Sequence, residues 1–144
     1  MKRVKWRPTP LIDPKTGNSR GSSYSSPRIF IVVSYNGKRF RTDGLVDSGA
    51  FGLLMPKYVA DNLGIHLSTL RTEASYSASG NFTRYVLDNG LTLTVYGDEY
   101  EVEASFTDSN DFPFIPLLGM TAIFHKYKVI IDSASKSIYL DPYE

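Results

Sequence analysis

Asp47 stands between an apolar strand ending and a turn of small residues, in the run Leu45-Val46-Asp47-Ser48-Gly49-Ala50-Phe51. Most surface aspartates are flanked by polar residues, whereas this carboxylate is led into a tight turn by a segment that reads as buried. If two such carboxylates met about 3 Å apart, they could not both ionise: they would share a proton, and the ionised member would activate water. Other chemistries lack their partners. His66 and His125 are far apart and read as helix-end or surface residues, and no His-Glu-x-x-His pattern exists, which argues against a zinc protease. Ser48 has no glycine two residues before it, as a nucleophile elbow requires. Asp108-x-Asn110-Asp111 hints at a calcium loop, but Phe112 and Pro113 occupy the places of a ligand and a glycine. The chain has no cysteine, which removes thiol catalysis, disulfides and cysteine-based zinc sites. No metal and no cofactor is assigned.

The elements that must position Asp47 read as β structure. The chain has 144 residues, 42% of them hydrophobic, enough for one domain with a core, and its ten Tyr and eight Phe among many Val, Ile and Thr favour strands. Ile29–Tyr35 is predicted as a strand, Asn36-Gly37 as a hairpin turn and Lys38–Thr42 as the returning strand, with Gly44–Val46 leading into Asp47. Pro56–Leu63 is predicted as a short helix ended by Gly64. Residues 71–87 form two segments around a hairpin tip at Ala78-Ser79-Gly80-Asn81. Leu91, Leu93 and Val95 alternate, and beyond Gly97-Asp98 so do Tyr100, Val102, Ala104 and Phe106, a period-2 strand with one wet face. Phe114–Leu118 is an apolar run ending at Gly119, followed by a short helix near Thr121–Lys126 and a last hairpin, Val129–Asp132 with Ser137–Leu140. Many short strands with two short helices predict an all-β fold, a closed β barrel.

Residues 1–28 hold seven basic residues and one acid, net +6, and the remaining 116 hold nine basic and fourteen acidic, net −5. Residues 1–27 read as a basic arm, with a strand over residues 3–12 that Pro8 and Pro10 confine to an edge, and residues 13–27 as a Gly/Ser/Pro-rich loop. Residues 28–144 read as the domain. A solvated leader is preferred for the arm over a nucleic-acid contact. No apolar run approaches the roughly 20 residues of a membrane span, and no signal peptide is read at the basic start. Without cysteine, a reducing compartment and a cytoplasmic location are the default.

The order of these pieces resembles the retropepsin-like aspartic proteases over roughly residues 28–140. The resemblance rests on Asp47-Ser48-Gly49-Ala50 at a strand end, a hairpin with a small-residue tip, and the later Leu117-Leu118-Gly119 before a helix. It implies an acid-protease-type barrel in which Asp47 is catalytic and Ser48, Gly49 and Ala50 form the active-site loop. Gly49 lets the backbone approach substrate and Ser48 braces the loop. It also implies a flap whose tip is Ala78, Ser79 and Gly80, where a plain surface hairpin is the alternative. Leu45, Ile115, Pro116, Leu117, Leu118 and Gly119 are expected to form subsite walls or to pack behind the carboxylate pair. The chain has only one such aspartate, since Ser133-Ala134 after Asp132 brings no glycine and Asp132 reads as a turn-starting residue. The second carboxylate is therefore expected from Asp47 of another copy in a two-fold homodimer. The expected activity is aspartic endopeptidase cleavage of extended peptides. A catalytically inactive dimerisation or peptide-binding module is the alternative.

Overall fold

The structure, a computed structural model, describes residues 1–12, 19–77 and 80–143, and for residues 9–12 and 19–24 the backbone alone. Among these residues the strands are β1 (Lys2–Lys5), β2 (Arg7–Ile12), β3 (Ser19–Ser26), β4 (Arg28–Tyr35), β5 (Lys38–Val46), β6 (Leu53–Met55), β7 (Arg71–Ser77), β8 (Gly80–Val95), β9 (Asp98–Phe106), β10 (Leu117–Leu118), β11 (Tyr127–Asp132) and β12 (Ser137–Pro142). Helix α1 (Lys57–Asn62), a 3₁₀ turn at Leu67–Thr69 and a π-helix at Met120–Phe124 complete the elements.

Local chemistry explains most boundaries. Asn36 and Gly37 take φ of 48° and 82°, which joins β4 to β5 in register from Arg28↔Leu45 to Tyr35↔Lys38. Pro56 caps α1 with its fixed φ of −71°, Val59 and Ala60 are its buried face, and Gly64 follows at φ 69°. Leu91, Leu93 and Val95 on β8 and Val102, Ala104 and Phe106 on β9 are buried, while Glu99, Glu101 and Glu103 are exposed.

The main sheet runs β4-β5-β10-β6-β9-β8-β7, and β8 also pairs with β4 from Val32↔Thr94 to Ser34↔Thr92. The pairing that leaves β4 through β5 thus returns to it through β8, and β7 extends beyond this ring as the partner of β8. Ile31, Val33, Leu53, Met55, Leu93, Phe106 and Leu118 are fully or almost fully buried in the core. A smaller sheet, β1-β12-β11, adds Val4, Ile138 and Leu140 to the same core.

Three sequence expectations are corrected. Ser19–Ser26 is a strand, paired with β2 from Arg7↔Ser26 to Ile12↔Ser19, where a loop was expected. A backbone ladder needs a partner strand more than apolar side chains, and β2, with Pro8 and Pro10, supplies one. Residues 13–18 of the expected loop lie outside the described residues. Residues from Gly80 to Val95 form one strand, with a register shift between Leu87 and Leu91, where two were expected. The helix expected at Thr121–Lys126 starts at Met120 and is wound more widely, with the His125 N–H donating to the Met120 carbonyl at 2.9 Å.

The basic N-terminal stretch is tied to acids of the body. Lys2 pairs with Asp98 at 2.9 Å, and Arg7 and Arg28 both reach Asp43, at 2.8 and 3.2 Å. Arg3 lies over the Tyr139 ring, 5.8 Å from its centre. Among the described residues no helix is long and apolar enough to cross a membrane.

Candidate active site

β5 ends at Val46, and a two-residue strand from late in the chain fixes the position of the aspartate beyond it. β10 lies between β5 and β6, parallel to β5 through Leu117↔Leu45 and Leu118↔Val46, and antiparallel to β6 through Leu117↔Leu54 and Leu118↔Leu53. The Leu45 N–H donates to the Pro116 carbonyl at 2.8 Å and the Asp47 N–H to the Leu118 carbonyl at 3.0 Å. The backbone of Asp47 is therefore anchored to β10 as well as to its own strand.

The carboxylate is oriented by its own turn. The Gly49 N–H donates to Asp47 Oδ1 at 2.9 Å, and the Ala50 N–H donates to the Asp47 carbonyl at 3.2 Å. Beneath the loop, Gly119 donates its N–H to the Gly52 carbonyl at 2.9 Å, Met120 to Ala50 at 2.9 Å and Thr121 to Phe51 at 2.8 Å. These bonds tie the end of β10 and the start of the π-helix to the aspartate loop.

Asp47 opens on a cavity of about 500 Å³. Gly49, Ala50, Phe51 and Gly52 border it from the loop, Leu53 and Leu54 from β6, and Leu117 from β10. Across from them stand residues of the β7–β8 hairpin, which is paired without a break from Arg71↔Val86 to Ser77↔Gly80. Ser75, Tyr76 and Ser77 line the cavity from β7, and Phe82 and Arg84 from β8. Phe112 completes the wall, its ring edge-on to Phe82 with centres 5.2 Å apart.

A network of charges holds the base of this hairpin. Arg84 donates to Ser105 Oγ on β9 at 2.9 Å and to Glu73 on β7. Glu73 also accepts from Arg71, and Arg71 forks onto Asp88, with Nη2 2.7 Å from Oδ1. The bonds from Arg71 hold both Glu73 and Asp88 below the ordinary carboxylate range.

Of the residues expected at the site, Asp47, Gly49, Ala50 and Leu117 border the cavity. Leu45 and Ile115 line a neighbouring apolar cavity of about 340 Å³ that shares Phe112 and Leu117 with the first. Pro116, Leu118 and Gly119 are buried, and Ser48 is exposed on the turn. Gly80 is exposed at the hairpin end with φ 123°, and Ala78 and Ser79 lie outside the described residues. Asp132 starts a turn: its Oδ1 accepts from the N–H groups of Ala134 and Ser135, at 3.0 and 3.2 Å. His66 and His125 are exposed at the ends of the 3₁₀ turn and the π-helix. Sequence reasoning missed Phe82, Arg84 and Phe112. Phe82 and Arg84 follow Gly80 at every second position, so the strand period carried their signal. Phe112 sits in an irregular loop with no such signal.

A family model described as aspartyl protease matches residues 31–122. The crystal structure of a retropepsin-like aspartic protease from Rickettsia conorii superposes with a TM-score of 0.58 and 21% identity, over 77% of this chain and 88% of that one, a likeness of fold. No curated protein sequence matches the chain.

Proposed function

Because the chain belongs to the aspartyl protease family, we propose that it is active as a homodimer that cleaves extended polypeptides, with Asp47 of each copy forming half of the catalytic pair. The observation that carries this reading is Asp47 itself: it is held at the end of β5 by its own turn and opens on a cavity of about 500 Å³ walled by a strand hairpin. The ring of strands is read as the acid-protease barrel and the hairpin as its flap.

With two copies of Asp47 about 3 Å apart, one proton is shared between them. The ionised carboxylate takes a proton from a bridging water, whose oxygen attacks the scissile carbonyl. The protonated carboxyl hydrogen-bonds that carbonyl as it becomes tetrahedral. Collapse breaks the C–N bond, and the leaving amine takes the proton. Such a pair titrates as a unit. The Gly49 N–H on Oδ1 fixes the carboxylate plane, and Ser48, exposed on the turn, supplies a hydroxyl to brace one loop against the other. An extended peptide adds as a strand beneath the hairpin around Ala78, Ser79 and Gly80, with apolar side chains against Leu54, Leu117 and Phe112. Residues 28–144 are read as the protease domain and residues 1–27 as an N-terminal extension whose first strand packs onto it, and the lack of cysteine fits a cytoplasmic enzyme.

The test is Asp47→Asn, assayed on a denatured protein at mildly acidic pH beside the wild type. Cleavage is expected to vanish while the fold is kept, and undiminished cleavage overturns the mechanism. A wild-type dimer that neither cleaves nor binds an aspartic-protease inhibitor would mark an inactive peptide-binding module instead.

A further inference from the structure

Among the described residues, two charged side chains border the cavity of about 500 Å³: Asp47 on one wall and Arg84 on the hairpin opposite. The rest of the lining is apolar, small or hydroxyl-bearing. Arg84 is held in place by donating to Ser105 Oγ at 2.9 Å and to Glu73. A guanidinium has five N–H donors, so these two bonds leave most of the fork unused, and the Nε–H has no partner among the described residues. The side chain is 21% exposed, so little water competes for those donors. Glu73, which offsets the charge of Arg84, does not border the cavity and is shared with Arg71. Ser75 does border it, on the same face of the hairpin as Arg84, as the pairs Glu73↔Arg84 and Ser75↔Phe82 require. The Ser75 hydroxyl makes no hydrogen bond among the described residues.

We propose that Arg84, with Ser75 beside it, forms a subsite for an acidic side chain, so that the preferred substrate is an extended peptide carrying Glu or Asp near an apolar residue. The inference rests on reading the cavity as the peptide site of an aspartic protease, and it names the substrate class of that site. A carboxylate has two acceptor oxygens, which a guanidinium N–H and the Ser75 hydroxyl can share, and a bond between two ions is stronger than one to a neutral amide. On a largely dry wall that difference grows. Glutamine in the same place accepts a bond without bringing charge, and lysine meets a cation. Charge also places the acid within the peptide. Asp47, read as half of a pair that shares one proton, leaves a negative charge at the scissile bond and repels an acid there, whereas Arg84 on the opposite wall attracts one. Phe82 is two residues nearer the hairpin end on the same face, with Phe112 edge-on to it, so the acidic subsite adjoins an apolar one.

The experiment measures kcat/KM on short synthetic peptides with a Leu-Phe core, in which Glu, Gln or Lys is placed in turn at each of the three positions on either side of the core. At one of these positions the wild type is expected to cleave the Glu peptide about tenfold faster than its Gln counterpart, the scale of one charge-assisted hydrogen bond, with the Lys peptide slower still. Arg84→Gln is expected to bring the Glu and Gln peptides together, over and above any loss common to all peptides from a loosened hairpin. Arg71→Gln, which loosens the same network from outside the cavity, is expected to keep the preference. Binding of the same peptides to Asp47→Asn, read by fluorescence anisotropy, is expected to show the preference without turnover. The wild-type and Asp47→Asn series decide the question even should Arg84→Gln fail to fold. Equal treatment of Glu and Gln peptides in both assays, absence of binding included, or a preference that survives Arg84→Gln, overturns the acidic subsite alone. Cleavage of no peptide, with Glu still bound in preference, overturns the protease reading and supports the acidic subsite.

Discussion

Gly119 backs directly onto Ala50: a Cβ on Gly119 would lie 2.4 Å from the Ala50 carbonyl oxygen and 2.6 Å from that of Gly52. No side chain fits there, and the obstacle is backbone that is itself hydrogen-bonded. The glycine that follows Leu117-Leu118 thus sets how closely the late strand can approach the aspartate loop.

Gly119→Ala is therefore expected to push the loop away from β10. Overpacking of this kind costs about 1–3 kcal/mol. Because the displaced loop carries Asp47, activity is expected to fall more steeply than stability. A thermal melt and steady-state kinetics on the same preparation check this: a modest drop in Tm with a fall of about tenfold or more in kcat/KM.

Asp98 joins the two sheets. Its Oδ2 accepts from the Tyr127 hydroxyl at 2.5 Å and from Lys2 Nζ at 2.9 Å. The bond from Tyr127, and then that from Lys2, hold its carboxyl below the ordinary value of 3.8. The folded value lies below the unfolded one, so this stabilisation is complete above pH 3.8 and is lost as pH falls through the depressed value. Burial, and then the bond to Asp98, raise Tyr127 above its ordinary value of 10.0, so its share is complete below that pH and is lost on the alkaline side. Asp98→Asn is expected to lower Tm most near neutral pH, with the gap to wild type closing below pH 3.8. Melts across the pH range measure that gap.

Arg84 ties the hairpin to the body through Ser105 and to its own partner strand through Glu73. Because Arg71 depresses Glu73 and Asp88 below their ordinary values of 4.5 and 3.8, the network stays ionised through the mildly acidic range. Arg84→Gln is expected to speed amide exchange along β7 and the first half of β8 and to raise KM several-fold by loosening the wall over Asp47. Arg71→Gln, at the outer end of the same network, is expected to speed exchange with a smaller effect on KM. Hydrogen exchange read beside kinetics distinguishes the two.

What the sequence made legible were the features that nearby residues determine. Asn36-Gly37 fixes its own turn, the alternation of Leu91 to Val95 fixes which face is buried, and Asp47 stands out because its neighbours are apolar. What it left obscure depends on distant partners. Nothing near Leu117 says that a two-residue strand will insert between β5 and β6, and nothing near Ser19–Ser26 says that a ladder awaits it. The charge asymmetry misled for the same reason: Lys2, Arg7 and Arg28 read as a basic arm until Asp43 and Asp98, far along the chain, appear opposite them.

The first residues of the chain are therefore structural. β1 pairs with β12 from Lys2↔Leu140 to Lys5↔Ser137, Val4 is in the core, and the Trp6 N–H donates to the Lys136 carbonyl at 2.9 Å. Burial of one valine side chain is worth roughly 1.5–3 kcal/mol, and removing β1 also uncovers Ile138 and Leu140. Deletion of residues 1–6 is expected to lower Tm by several degrees. Lys2→Ala with Arg3→Ala, which removes the Lys2–Asp98 pair and the Arg3 contact with the Tyr139 ring but keeps the strand, is expected to cost less, since each such contact is worth about 1 kcal/mol or less. Equal melting temperatures for the deletion and the wild type would show that β1 adds nothing to the fold.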